Sequence, residues 1–292
     1  MSTQKQEKTY NSEWDNYVKF WEKISYPFRP NPKQIAFYEK YLKQYIVKKQ
    51  NPKILIFGST PEIRDLCSKL KLPATLFDFN EGMYYGMVKL MKRKPYQEKF
   101  VQGKWEDVLR YFKKDEFDII FADEIHTNII IKLWDKNLKD IAQILKKNGL
   151  YFFSNIVMNF DKSITFEELV KKYKVDKKYF DNYQNKVHIF YQLFLGENCY
   201  DWNLRGNVLH QLRKKFKLYS KKNKISMEMM KKVWVDERDI EHDAFGIYVE
   251  VDPPLGEVYE KLFPHFFIDD IYIDKSHPVY RFRRDMVLRA KK

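Results

Sequence analysis

From residue 53 onward, short apolar runs alternate with stretches of helical periodicity. The run from Ile54 to Phe57 is continuously apolar, which is typical of a central parallel strand covered on both faces. Four more strands are predicted at ATLFDF, KFVQG, FDIIFAD and GLYFFSNIV. The intervening segments predict helices that end near Lys71, span about 81 to 92 and about 106 to 112, and end near Lys146. This alternation predicts an α/β fold with a doubly wound, mostly parallel sheet and right-handed crossovers.

Two helices are predicted ahead of this alternation. Aromatic and apolar side chains recur there at three- and four-residue spacing, at Trp14, Tyr17, Trp21 and Ile24. SYPFRPNP interrupts the pattern, and a second helix is predicted to begin after Asn31 with Pro32 and to run to about Val47. Residues 1–52 are therefore expected to form a helical extension beside or over the sheet.

Residues 161–255 break the alternation with a lysine-rich, aromatic and mostly helical pattern. After them, HFFIDDIYID and VYRFRRDMVLRA predict two strands, joined by the turn KSHP, that complete the sheet. The middle stretch is therefore interpreted as a cap or insertion. The core is expected to comprise residues 53–160 and 256–292.

The first predicted strand ends in a turn suited to a ligand. Gly58 lets the backbone turn sharply and lets a ligand approach where no Cβ intrudes. Thr60 is a candidate N-cap, Pro61 suits the first helical position, and Glu62 favours the positive end of the helix. In sheets of this kind the ligand lies at the carboxyl ends of the strands.

The nature of that ligand is narrowed by three side chains. A dinucleotide-binding loop has the spacing G-x-G-x-x-G, but no further glycine follows Gly58 in this turn. Ser59 and Glu62 stand where a pyrophosphate would approach, and Glu62 would repel it. Asp78 ends the second strand, where a carboxylate can accept hydrogen bonds from a ribose diol. The pattern favours a cofactor that contains adenosine but no phosphates.

Composition adds limits on location and on metal chemistry. Hydrophobic residues make up 44% of the 292 residues and the mean hydropathy is -0.62, so a soluble protein is expected. No apolar run approaches the ~20 residues that span a bilayer, and the polar start is not a signal peptide, which predicts a cytoplasmic protein without a membrane partner. Cys67 and Cys199 belong to no metal-binding pattern, so neither a metal nor a disulfide is expected.

The formal charge of +14 has two interpretations. A surplus of lysine and arginine is the electrostatic signature of nucleic-acid binding, but a chain rich in Lys, Asn, Ile, Tyr and Phe also arises from AT-rich coding. The stretch 213–232 holds nine basic residues against Glu228, with Phe216 and Tyr219 interleaved. It is either a surface for RNA or a solvated helix face in the cap.

Taken in order, these motifs resemble the class I S-adenosylmethionine-dependent methyltransferases, in particular the branch whose first motif is G-x-T-P-E. The resemblance covers residues 53–160, through GSTPE, Asp78 with NEGM, VQGKWEDV, FDIIFADEIHTN and LKKNGLYFFS, and the final strand pair is consistent with it. It implies a Rossmann-like sheet with an antiparallel last strand, and S-adenosylmethionine as cofactor. Two positions depart from the family pattern, because Ile56 and Lys104 stand where relatives often carry acidic residues.

The resemblance also implies a role for each matching position. Gly58, Ser59 and Thr60 are implied to contact the methionine part and the ribose of the cofactor, and Asp78 is implied to bind the ribose hydroxyls. The residues implied to contact the adenine are Phe79, Met83, Gly103, Lys104 and Trp105. Asp123 and Glu124 are implied to face the methionine part and the reacting methyl. Because the sulfonium is already activated, positioning and exclusion of water can supply most of the rate.

Two residues are candidates for catalysis. His126 follows the fourth strand and is the best candidate base, since its unperturbed pKa lies near neutrality. It is equally well read as a loop histidine that makes an ordinary backbone hydrogen bond. Asp123, which the resemblance places beside the reacting methyl, is the second candidate.

Three functions are compatible with these features. The leading hypothesis is methyl transfer from S-adenosylmethionine to a small-molecule acceptor enclosed by the N-terminal helices and the cap. The second keeps the chemistry but makes the acceptor RNA, held by residues 213–232. The third is a degenerate methyltransferase fold that serves as a binding or scaffold protein, motivated by Ile56, Lys104 and the few glycines.

Overall fold

Seven strands form one sheet in a computed structural model of the chain. The structure describes residues 21, 25–157, 163–201, 203, 205–224, 229, 232, 249–251 and 253–292. The strands of this sheet are β1 (Ile54–Phe57), β2 (Ala74–Asp78), β3 (Glu98–Gln102), β4 (Phe117–Asp123), β5 (Leu145–Ile156), β9 (Phe266–Tyr272) and β10 (Arg283–Ala290). Their spatial order is β3-β2-β1-β4-β5-β10-β9. The first five pair in parallel, and β10 runs antiparallel to β5 and β9. This is the predicted doubly wound sheet with an antiparallel last strand.

Helices cover both faces of this sheet. The α-helices of the described residues are α1 (Pro32–Lys48), α2 (Pro61–Lys69), α3 (Glu81–Val88), α4 (Trp134–Ile144), α5 (Phe166–Val175), α6 (Tyr183–Gly196), α7 (Leu209–Lys222) and α8 (Leu255–Leu262). One core contains side chains of α1 and α2 against the central strands, and a second contains side chains of α4 and α8 on the other face. No helix within the described ranges is both long and apolar enough to cross a bilayer.

The boundaries predicted between residues 53 and 160 hold to within two residues except at three helices and at the start of β5, which begins at Leu145 and not at the expected Gly149. The helix after β2 ends at Val88, before the expected residue 92, and the last helix ends at Ile144 because Leu145 already continues in the extended backbone of β5. The segment Trp105–Arg110 is a 3-10 helix. The Trp105 indole donates to the Phe77 carbonyl at 3.1 Å and Asn137 donates to the Trp105 carbonyl at 2.7 Å, so contacts with other elements decide its shape.

The prediction for α1 is confirmed, because the Asn31 side chain accepts a hydrogen bond from the Gln34 amide as an N-cap. The predicted helix around Trp14 and Tyr17 lies outside the described residues. The two final strands are joined by a longer connection than the predicted KSHP turn. It contains a 3-10 helix, Pro278–Phe282, whose Val279 and Phe282 are buried.

Residues 163–224 have a core of their own. Aromatic and aliphatic side chains of α5, α6 and α7 pack together with Ile156 from the end of β5 and with Val279 and Phe282. A three-stranded antiparallel sheet also lies here, formed by β6 (Tyr200–Asp201), β7 (Gly206–Val208) and β8 (Val249–Val251). The sequence pattern predicted the helices but not this small sheet, whose strands are too short for a periodic signal.

Candidate functional site

The carboxyl ends of β1, β2 and β4 meet at one edge of the sheet. Gly58 follows β1 with φ +78°, and its amide donates to the Phe77 carbonyl at 2.9 Å. A Cβ on this residue would lie 3.0 Å from the Cδ1 atom of Ile125. Both the positive φ and the close approach favour glycine, so the backbone turn expected from the sequence is present.

The two residues after Gly58 are buried in this turn. Thr60 stands at the N-cap position of α2, but its side chain makes no capping bond. Its hydroxyl instead donates to Oδ2 of Asp123 at 3.2 Å, which ties the end of β1 to the end of β4. The Ser59 hydroxyl is buried and has no hydrogen-bond partner among the described residues, so it is available to a ligand.

Asp78 ends β2 with only 3% of its surface exposed. Its carboxylate accepts a hydrogen bond from the Asn80 amide at 3.1 Å, and within the described ranges it has no cationic partner. Burial raises the pKa of Asp78 to about 7. The side-chain nitrogen Nδ2 of Asn80 is buried without a hydrogen-bond partner in the described part of the chain. Unsatisfied polar groups of this kind are expected where hydroxyl groups of a ligand bind.

Beside Asp78, an aromatic pair marks the ends of β2 and β3. The rings of Phe79 and Trp105 meet edge to face with centroids 5.3 Å apart, and Phe79 is 44% exposed. Gly103 is buried, and a Cβ there would lie 2.5 Å from atoms of Phe77 and Tyr111, so packing explains this glycine. Lys104 is exposed and Met83 is half-buried. The exposed aromatic surface of Phe79 and Trp105 is suited to stacking with an adenine ring. Lys104 makes no side-chain contact with these residues that would add to this surface.

At the other side of the turn, one arginine lies among three carboxylates. Arg283 of β10 is fully buried and donates to Asp123 through Nη2 and to Asp285 through Nε at 2.9 Å. Its Nη1 lies 3.4 Å from Oε1 of Glu124. Ser154 donates to the same oxygen of Asp123 at 2.9 Å. The two oxygens of Asp123 are thus already held by protein donors, which makes Asp123 a poor candidate base.

Glu124 is the most unusual member of this cluster. Its backbone has φ +55°, a conformation that costs free energy in a non-glycine residue and is found at functional sites. The Ile156 amide donates to its Oε2 at 3.1 Å, while Oε1 is buried without a hydrogen bond to the described residues. Burial raises the pKa of Glu124 to about 8 and that of Asp285 to about 6. With all four groups ionised, the three carboxylates and the one guanidinium give the cluster a net charge of −2.

The N-terminal segment covers this edge of the sheet. The Pro27 carbonyl accepts a hydrogen bond from Arg283 at 2.7 Å, and the Arg29 guanidinium pairs with Glu62 at 2.5 Å. Since Arg29 neutralises Glu62, the sequence argument that Glu62 repels a pyrophosphate is weaker than expected. Exclusion of phosphates instead follows from the surplus carboxylates around Arg283.

His126 lies in the loop after β4, but it is fully buried. Its ring packs against Trp134 and Phe153, with centroid distances of 5.0 Å to each. Burial lowers the pKa of His126 to about 3, so the imidazole is neutral at physiological pH. A base must reach the acceptor, and this placement therefore argues against the catalytic role inferred from sequence and for a structural role.

Several site residues were not identified from sequence. They are Asn80, Ser154, Arg283 and Asp285, together with three residues of the N-terminal segment that bind Asp285, namely Tyr26, Gln34 and Tyr38. The one signal available in sequence is in the strand RRDMVLRA, because Arg283 and Asp285 are two residues apart and so share one face of a predicted strand.

Of the basic stretch 213–232, residues 225–228, 230 and 231 lie outside the described residues, and the described part differs from a nucleic-acid surface in the placement of Phe216. Phe216 is buried in the core of the α5–α7 region, where it packs against Phe166 with a centroid distance of 4.9 Å. It is therefore not available to stack on a base. Across the described residues, no group of three or more His, Cys, Asp or Glu side chains is placed to hold a metal ion.

Comparisons with known proteins bear on the fold. No protein-family model matches the chain, and no curated protein matches it. A SAM-dependent methyltransferase structure from Methanosarcina mazei aligns with a TM-score of 0.52 at 13% identity, covering 90% of this chain and 98% of that one. A putative S-adenosylmethionine-dependent methyltransferase from Listeria monocytogenes aligns with a TM-score of 0.48 at 13% identity, covering 88% of this chain and 100% of that one. The N-methyltransferase NodS from Bradyrhizobium japonicum, in complex with S-adenosyl-L-homocysteine, aligns with a TM-score of 0.47 at 8% identity, covering 91% of this chain and 92% of that one.

The Methanosarcina alignment shows the fold. Together with the strand order and the antiparallel β10, it establishes the Rossmann-like sheet of class I methyltransferases. At 13% identity the likeness concerns the fold alone, and the activity has to be argued from the residues of this chain.

Proposed function

We propose that this protein is an S-adenosylmethionine-dependent methyltransferase with a small-molecule acceptor. The observation that carries the proposal is the surplus of negative charge in the buried cluster of three carboxylates around the single guanidinium of Arg283. The formal charge of the cluster is −2 when all four groups are ionised, and −1 when Glu124 is protonated below its pKa of about 8. S-adenosylmethionine carries a sulfonium, an ammonium and a carboxylate, which give a net charge of +1, and it has no phosphate. A cofactor of net positive charge offsets the negative charge of the cluster, whereas a dinucleotide would meet repulsion.

The residues around Asp78 fit the other half of this cofactor. Its carboxylate, which has no cationic partner among the described residues, can accept hydrogen bonds from a ribose diol, and Ser59 and Asn80 offer further unsatisfied polar atoms. Phe79 and Trp105 offer an aromatic surface for the adenine. Because β1 separates β2 from β4, Asp78 and Asp123 are two strand spacings apart, roughly 10 Å, which suits a ligand with the ribose at one end and the sulfonium at the other.

The chain's own residues have positioning roles in this proposal. Arg283, Ser154 and Thr60 hold Asp123 and fix the end of β4. We assign Oε1 of Glu124, which accepts no hydrogen bond from the described residues, to the side of the methyl donor, where the ionised carboxylate would stabilise positive charge. When bound, the cofactor supplies an activated methyl group, so holding donor and acceptor in line and excluding water supply most of the rate.

Two observations favour a small acceptor over RNA. The segment around Pro27 and Arg29 is hydrogen-bonded over the site edge, which favours an enclosed acceptor. Phe216, the aromatic residue central to the basic stretch, is committed to the core.

The test is release of S-adenosylhomocysteine on addition of a low-molecular-mass metabolite fraction or of total RNA. We expect release with the low-mass fraction, loss of release in Asp78→Ala, and normal release in Asp269→Ala, a carboxylate on the exposed edge strand β9. Release with RNA alone would replace the small acceptor by RNA. Absence of release with both fractions, together with no binding of S-adenosylmethionine, would support the scaffold alternative.

A further inference from the structure

A basic groove lies at the sheet edge opposite the candidate cofactor site. Its volume is about 790 Å³, and its lysines are Lys114, Lys139, Lys146, Lys147, Lys291 and Lys292. These residues come from the segment before β4, the end of α4, the start of β5 and the chain after β10. Because parallel strands begin at this edge and end at the other, the groove is separated from Gly58 and Asp78 by the length of the strands.

The groove carries a strong positive charge that nearby acidic residues neutralise only in part. Its lining contains six lysines and the single acidic residue Asp115, which leaves a formal charge of +5. Lys146 is paired with Asp118 at 2.8 Å, and Lys292 with Asp115. Lys114, Lys139 and Lys147 are exposed and form no ion pair within the described ranges. Three free ammonium groups thus face a shared open space.

Two exposed aromatic residues lie in the chain next to lining residues of this groove. Phe263 precedes Pro264 and His265, Phe267 follows them after the buried Phe266, and the two rings are 50% and 57% exposed. One face of the Phe263 ring stacks on Tyr259. Lys291 connects them, because its Nζ donates to the Phe263 carbonyl at 2.5 Å and lies 5.0 Å from the centroid of the Phe267 ring. Apolar rings beside a row of lysines are exposed at a cost that a stacking ligand would remove.

We propose that this groove binds single-stranded nucleic acid. A positive channel for the phosphate backbone beside exposed aromatic rings is the combination used to bind single strands without sequence preference. Lysines act on phosphates as point charges, and the lining holds no arginine fork for reading base edges, so binding is expected to depend on charge and stacking and not on sequence. An acidic protein would be attracted by the lysines but would gain nothing specific from the two rings.

Binding in this groove is independent of the proposed methyl transfer. A nucleic-acid strand bound in the groove lies where the parallel β-strands begin, whereas the candidate cofactor site lies where they end. Its bound nucleotides therefore cannot reach the candidate cofactor site. The groove is therefore a binding surface separate from the acceptor site, and it can be tested with no cofactor present.

The test is fluorescence anisotropy with a labelled single-stranded oligouridylate of about twelve nucleotides, measured over a range of salt concentrations. Each phosphate contact contributes about 0.7 to the slope of log affinity against log salt, so Lys114→Ala, Lys139→Ala and Lys147→Ala combined should reduce the slope by about 2. The matched triple Lys94→Ala, Lys99→Ala and Lys132→Ala makes the same charge change elsewhere and should leave the slope unchanged. Equal slopes for the two triple variants would overturn the proposal.

The aromatic rings separate nucleic acid from other anions. Phe263→Ala or Phe267→Ala should weaken oligouridylate binding about tenfold, whereas Tyr85→Ala, which removes an exposed ring near the opposite edge strand, should not. Polyglutamate of equal charge should compete poorly. Effective competition by polyglutamate, combined with unchanged affinity in both phenylalanine variants, would show a general anion surface and contradict the proposal. Thermal unfolding of each variant checks that the fold is retained.

Discussion

Arg283 and Asp123, separated by 160 residues in the chain, form an ion pair in which the two side chains are 0% and 3% exposed. The pair joins β10 to the end of β4, and Asp285 shares the same guanidinium. A buried charge that loses its partner is strongly destabilising, because neither water nor another group replaces the lost interaction. The pair therefore links the stability of the sheet to the geometry of the candidate site.

Replacement of Arg283 should test that link. Arg283→Ala leaves three buried carboxylates without their shared cation and should lower the free energy of unfolding by about 3–5 kcal/mol in urea denaturation at pH 7. Arg289→Ala is the control, since Arg289 lies on the same strand and pairs with Asp269 at the surface. That variant should lose at most about 1 kcal/mol. Equal losses would mean that the buried cluster is not a stabilising unit.

Asp78→Asn should stabilise the protein in the absence of ligand at high pH. Burial raises the pKa of Asp78 from 3.8 to about 7, so between these values the folded state binds the extra proton and stability falls as pH rises. Asparagine has no charge to bury. The advantage of the variant over wild type should therefore widen by about 2 kcal/mol from pH 5 to pH 8 in urea unfolding. A constant difference across this range would contradict a buried, unpaired carboxylate.

Glu124 should give cofactor affinity a distinctive pH dependence. Its pKa is raised to about 8 by burial, so its negative charge develops as pH rises through that value. S-adenosylmethionine and S-adenosylhomocysteine share the amino-acid group and differ in the sulfonium, so the ratio of their affinities isolates that charge. Calorimetry should show the preference for S-adenosylmethionine increasing about tenfold between pH 6.5 and pH 9.

The matched variants for this measurement are Glu124→Gln and Glu260→Gln. Glutamine at position 124 does not titrate, so the ratio should stay nearly constant with pH. Glu260 is exposed on α8, and its variant should behave as wild type. A ratio that still rises in Glu124→Gln would assign the titration to another group.

His126→Leu should leave cofactor binding intact. The imidazole is neutral because burial lowers its pKa to about 3, and it packs between Trp134 and Phe153. An apolar side chain of similar size preserves these contacts, so affinity measured by calorimetry should change by no more than about twofold. The rate of S-adenosylhomocysteine release should also be kept. A loss of about a hundredfold in that rate, with affinity unchanged, would restore His126 as the base.

The sequence predicted the strands and the Asp78 end of the site because both are local features. A continuous apolar run such as Ile54 to Phe57 indicates a buried strand wherever it lies, and a carboxylate at the end of such a run reaches the ligand edge. The glycine turn is also local, and Gly58 adopts the positive φ that the turn requires.

Arg283, Thr60 and His126 could not be placed in the same way. The partner of Arg283 depends on β10 pairing with β5, and this long-range pairing has no local signal. Thr60 stands at the N-cap position of α2, but its hydroxyl donates a hydrogen bond to Asp123 on a neighbouring strand instead of capping the helix. The exposure of His126 depends on how Trp134 and Phe153 pack over it, and residue spacing carries no information about that packing.

Calorimetric titration with S-adenosylmethionine tests the central claim most directly. The wild-type protein and Asp269→Ala should bind with a dissociation constant of about 1–100 μM, and Asp78→Ala should show no binding while keeping its fold by circular dichroism. Absence of binding to wild type with both S-adenosylmethionine and S-adenosylhomocysteine would contradict the proposed cofactor. Unchanged affinity in Asp78→Ala would contradict the placement of the ribose at the end of β2.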